Sequence, residues 1–255
     1  MEPKQREKDF ISEPAPEGYP QEGRRRMIIP SPVAVYGTKV GDVEAHLFTQ
    51  LAEDTVFMMG DNPALPKMPD KPTLMDFYKY RFDEFTGQHL MTSAYKAMED
   101  GLKDEVVMAC LLHDISNGCL IRPDHGYWGA QLIAPYVSEE IAWAVKYHQC
   151  LRYFADEENG YPYPEAYNKF FGADFEPPEY LKRDAEYARN HEWYMTARLV
   201  TIYDTYFADN TEEIDPSVFD DLLSRNFKQP EEGLGFDNSP TAHMWRTMIW
   251  PNNCL

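Results

Sequence analysis

Apolar residues recur at three- and four-residue intervals along most of the chain, the period of helices with one buried face. The pattern starts near Gly41, where Asp42 can cap a helix whose Val43, Leu47 and Leu51 share a face, and it stops in the Pro-rich NPALPKMPDKP. Thr73 can cap a second helix through LMDFYKYRFDEF. Next come GQHLMTSAYKAMEDG, closed by Gly101, and KDEVVMACLLHDIS, the most apolar helix of all. DHGYWGAQLIAPY follows with Asp124 as its expected cap, then SEEIAWAVKYHQCLRYF, opened by Ser138 and acidic in its first turn as the helix dipole favours. Residues 156–178 read as an irregular excursion with room for a short helix. A long helix is predicted from Pro178 to Ala208, and two weaker ones around PSVFDDLLSRNF and SPTAHMWRTMIW. Strand alternation and internal repeats are not evident. The expected fold is therefore all-α, a helical bundle with one main core over residues 31–255. Residues 1–30, rich in Pro, Glu, Gly and Arg and without hydrophobic period, read as a flexible arm, and the IIPSPVAVYG that follows as an extended piece.

The same periodicity puts polar residues on inward faces. His148 follows Ile141, Ala144 and Val145 at helical spacing, and Asp204 follows Ala197, Val200 and Thr201 in the same way. A carboxylate facing a core is costly unless it is paired or metal-bound. His113 and Asp114 end the most apolar helix, His89 has on its face Ser93 and Ala97, small enough to let another element approach closely, and His125 stands at a helix start with Gly126 and Gly129 nearby for the same purpose. Any one of these histidines alone reads as a satisfied core or capping residue. Four imidazoles and two carboxylates on consecutive inward faces read together as a metal site.

Composition narrows the partners. A net charge of -19 repels polyanions, so nucleic acid and anionic membrane are not expected partners. The Arg24-Arg25-Arg26 triplet lies in no amphipathic setting and reads as a solvated turn. No apolar run approaches the roughly eighteen residues of a membrane span, and MEPKQREKDFISEPAPEGYP lacks a secretory apolar stretch, so a cytoplasmic protein is expected. The four cysteines show no CxxC spacing, which argues against a disulfide framework or a zinc finger.

The order His89, His113-Asp114 and a late Asp204 resembles the HD-domain superfamily of metal-dependent helical domains, over about residues 76–210. His125 and His148 match the two further histidines of its dinuclear branch. Within that branch the chain is most similar to the mixed-valent diiron oxygenases, the group of myo-inositol oxygenase and a phosphonate-cleaving oxygenase. The intervals from His89 to His113, His125 to His148 and His148 to Asp204 are similar, and that from Asp114 to His125 is shorter. The resemblance implies two iron ions, Fe(II) and Fe(III), with manganese or zinc as alternatives. Asp114 would bridge them, with His89, His113 and Asp204 completing one site and His125 and His148 the other. It implies a dioxygenase that takes dioxygen and a small hydroxylated substrate, with Arg152 and Lys146 hinting at an anionic, phosphonate-like group, and cleaves a bond oxidatively.

Asn117 would then donate a hydrogen bond to substrate, Arg152 would bind its anionic group, and Tyr80 would close over the substrate-free iron. Arg152 reads equally well as a solvated helix end, and Tyr80 as core packing. Ser116-Asn117 stands where many dinuclear phosphohydrolases and myo-inositol oxygenase carry Gly-Lys, which argues against close kinship with those enzymes. A metal-dependent phosphohydrolase and a non-catalytic metal-binding protein remain the alternatives, and the oligomeric state is open.

Overall fold

The computed structural model describes residues 66–82, 84–204 and 214–249, together with two short strands. The chain divides into two compact units, 1–67 with 250–255, and 68–249. In the first, β1 (Arg26–Met27) pairs in parallel with β2 (Val56–Phe57), so the last arginine of the triplet is in a strand. The helix expected from Gly41, the rest of the arm and the IIPSPVAVYG piece lie outside the described residues.

Every regular element described in the second unit is helical. Thr73 caps α1 (Leu74–Tyr80) in a capping box: its hydroxyl accepts from the Asp76 amide, and the Asp76 carboxylate accepts from the Thr73 amide at 2.8 Å. The helix ends at Tyr80 rather than running on to Phe85, and α2 (Glu84–Glu99) begins within the stretch assigned to it by sequence. Gly101, at φ +71°, turns the chain after α2, a conformation that suits a residue without Cβ. α3 (Asp104–Leu112) is buried continuously from Val106 to Leu112. A helix surrounded on all sides needs no polar face, and α3 is the central one: α2, α6 (Glu139–Leu151) and α9 (Tyr194–Tyr203) all pack on it. Between α3 and α6 lie α4 (Ile115–Cys119) and α5 (His125–Ile133), and α5 packs along α6.

The excursion over 156–178 holds a 3-10 turn (Glu157–Asn159) and the short α7 (Glu165–Phe171). The single long helix expected from Pro178 to Ala208 is two helices, α8 (Glu179–Arg189) and α9, with Asn190 to Trp193 between them. His191 causes no local break by propensity. It is held outside the helix because its ring stacks on Trp143 of α6, centroids 4.3 Å apart and planes 20° apart, while its Nδ1 accepts from the Trp193 amide.

The tail supplies a 3-10 turn (Pro216–Phe219), α10 (Asp220–Asn226) and α11 (Ala242–Ile249). Trp245 of α11 is fully buried against Phe77, with ring centroids 4.7 Å apart. Gln229 joins the tail to the start of α1, its amide bonding both the Leu74 N–H and the Pro72 carbonyl. No described helix is long and apolar enough to cross a membrane.

Candidate metal centre

Five segments converge inside the bundle. His89 comes from α2, whose Ser93 and Ala97 are fully buried and leave room for α3. His113 and Asp114 form the turn between α3 and α4, His125 opens α5, His148 lies in the last turn of α6, and Asp204 follows α9 directly. None of the six side chains is more than 4% exposed.

They are arranged as two halves. His89 Nε2 and His113 Nε2 are 3.1 Å apart, with Asp204 Oδ1 at 3.3 Å and 3.6 Å from them. His125 Nε2 and His148 Nε2 are 3.3 Å apart, with Asp114 Oδ1 at 3.1 Å and 3.7 Å. The halves touch where the His113 and His148 rings meet edge-on, centroids 5.1 Å apart. Asp114 belongs to both, since His89, His113 and Asp114, and again Asp114, His125 and His148, can offer ligand atoms within 4.8 Å of one another.

The backbone sets which nitrogen faces inward. His113, His125 and His148 each place Nδ1 against the carbonyl three residues earlier, on Cys110 (2.8 Å), Arg122 (3.2 Å) and Val145 (2.6 Å). A carbonyl only accepts, so Nδ1 carries the proton and Nε2 of the neutral ring presents a lone pair to the centre. Lone pairs on paired Nε2 atoms at these distances repel unless a cation, proton or metal, lies between them.

Electrostatics agree. Burial opposes charge on His113, yet the Asp114 and Asp204 carboxylates outweigh it and raise its pKa to about 9. Burial pushes His148 down to about 4. Burial would also raise both carboxyls, but His113 and His89 hold Asp204 at about 2, and His125 and His113 hold Asp114 well below the usual range. The acids are thus ionised deep in the bundle. Among the described residues the Asp204 carboxylate faces the His89 and His113 imidazoles and meets no other hydrogen-bond donor, an arrangement that suits a metal ligand. Imidazole and carboxylate without thiolate suit iron, manganese or zinc. Cys110 lies beneath, fully buried, and burial with the Asp204 charge pushes its thiol up, so it offers no thiolate.

Asn117 Nδ2 donates to Asp114 Oδ2 at 3.1 Å, leaving Oδ1 to the histidines. Arg152 caps α6, half-buried, with its guanidinium 5.0 Å from the Tyr153 centroid and 5.9 Å from that of Tyr167. Tyr80 is half-buried beneath the Lys79 ammonium, whereas Tyr78 is buried and its hydroxyl donates to the Leu111 carbonyl in α3. Asp124 does not cap α5 with its side chain. It adopts φ 51°, and its carboxylate accepts from Tyr180 Oη at 2.8 Å.

One residue of consequence escaped sequence reasoning. Arg198 of α9 is fully buried and donates to the Leu151 and Phe154 carbonyls, Thr201 Oγ1 and Tyr194 Oη, with Asp156 Oδ2 3.4 Å from its Nε. It ties the helix preceding Asp204 to the end of the helix carrying His148. An arginine inside the apolar TARLVTIY was the available signal.

The fold and the site together define a helical domain with a buried His/Asp centre able to hold metal ions. No protein-family model matches the chain, and no curated protein matches it.

Proposed function

We propose that the protein is a dinuclear-iron oxygenase of the HD-domain type, acting with dioxygen on a small hydroxylated, anionic substrate and cleaving it oxidatively. The observation that carries the reading is the pair of facing imidazole couples, each closed by an ionised carboxylate and joined through Asp114. That set calls for two cations, and its donor chemistry admits iron. Bound iron would supply Lewis acidity toward a substrate hydroxyl and the electrons for dioxygen activation.

The chain's own residues do the positioning. His113, His125 and His148 hold their tautomers on backbone carbonyls, so their lone pairs need no reorganisation on metal binding. Asn117 fixes the Asp114 carboxylate through Oδ2 and, in place of a lysine, presents a neutral amide to substrate. Arg152, its guanidinium set against aromatic rings, receives the anionic group.

The second reading, a metal-dependent phosphohydrolase, uses the same ligands to activate water. Metal analysis with electron paramagnetic resonance and oxygen uptake separates the two. The oxygenase is expected to hold two irons and give a mixed-valent signal that changes with hydroxylated substrates. Zinc or manganese with phosphatase turnover and no oxygen uptake would overturn it.

A further inference from the structure

On the face of α6 turned away from the metal centre there is a cavity of about 320 Å³ between α5, α6 and α8. At about 100° per residue, Lys146 and Cys150, both in its lining, lie on the side of α6 opposite His148. Its walls are aromatic: Tyr127 and Trp128 from α5, Tyr147 from α6 and Tyr180 from α8. Tyr127, Trp128 and Tyr180 are between 36% and 45% exposed, a large apolar area for one surface to leave open.

Opposite charges line this cavity without meeting. The Lys146 ammonium sits 4.9 Å from the Tyr147 centroid and 5.9 Å from that of Tyr127, and it forms no ion pair among the described residues. Asp124 accepts from Tyr180 and Asp184 from its neighbour Arg183, each through Oδ1, which leaves Oδ2 of both outside those bonds. A free cation, two carboxylates and stacking faces around one space match a molecule that carries both charges on an apolar body. A purely anionic ligand would meet the two carboxylates, and a purely cationic one the lysine.

We propose that this cavity is a second ligand site, separate from the metal centre, for a zwitterionic amino acid with an apolar side chain. Lys146 takes its carboxylate, Asp184 and Asp124 its ammonium, and the tyrosines and Trp128 its side chain. The proposal does not depend on the oxygenase reading.

The test is calorimetric titration of the full chain with L-phenylalanine, 3-phenylpropionate and 2-phenylethylammonium, before and after chelation of bound metal. Phenylalanine is expected to bind about tenfold or more tighter than either single-charge analogue, equally in both metal states. Lys146→Met should remove the preference over 2-phenylethylammonium, Lys146→Arg should keep it, and Asp184→Asn should remove the preference over 3-phenylpropionate, with helicity checked by circular dichroism. The proposal is overturned if phenylalanine fails to bind, binds no better than both analogues, binds Lys146→Met as it binds the parent, or loses its binding on chelation.

Discussion

His113 and Asp114 are neighbours in the chain and serve different couples. The imidazole faces His89 of α2, and the carboxylate turns to His125 and His148. Under the two-metal reading Asp114 is the shared ligand, so Asp114→Asn should reduce bound metal to below one ion per chain, whereas His125→Ala should keep about one. Elemental analysis of the purified variants reads this directly. Equal losses in both would remove the bridging role. The inward positions of His148 and Asp204 were legible in the sequence from helical period, and those of His113 and Asp114 from the apolar helix that they end. What holds the ligands was not: the carbonyls that fix the three tautomers depend on backbone geometry at the helix ends. Arg198 likewise has partners in Leu151, Phe154 and Asp156, distant in sequence and brought near only by packing.

Between α5 and α6 the spacing is set by a missing side chain. A Cβ at Gly126 would lie 2.8 Å from the Lys146 carbonyl and 3.0 Å from that of Val145. Gly126→Val should therefore push α5 off α6, move His125 from His148 and cost about 1–3 kcal/mol. Thermal unfolding and metal content measure the two effects, and unchanged values in both would exclude this contact as the spacer. The close approach was anticipated from sequence, but the break between α8 and α9 was not, because a His-Trp stack across two helices leaves no local trace.

The loop after α6 is pinned through Asp156, whose pKa is lowered despite the opposing effect of burial, by the Tyr194 and Asn159 hydrogen bonds and the Arg198 charge. A depressed carboxyl stabilises the fold above its unfolded pKa, near 4, and that contribution is lost as pH falls through the folded value. Asp156→Asn should thus be less stable than the parent at pH 7, with the gap closing below about pH 4 in denaturant titrations.

At the scale of the whole molecule, the ligands come from α2, the α3–α4 turn, α5, α6 and the end of α9, so any ion they hold binds only the folded bundle. By linkage, a metal at a hundred times its dissociation constant adds about 2.7 kcal/mol. Removing it with a chelator should lower the melting temperature by about 5–10 °C in a domain of this size. A chelated protein that melts unchanged would mean the centre is filled by protons alone. The bundle itself was readable from the hydrophobic period. The burial of Trp245 and the clasp of Gln229 on α1 were not, since the tail carries only weak helical signals and gains its place by covering α1. Because His89 and Asp204 meet only when every helix between them is in register, metal content serves as a proofreading mark. A chain that takes up its full complement of metal has every helix between them in place, a report on packing that circular dichroism does not give.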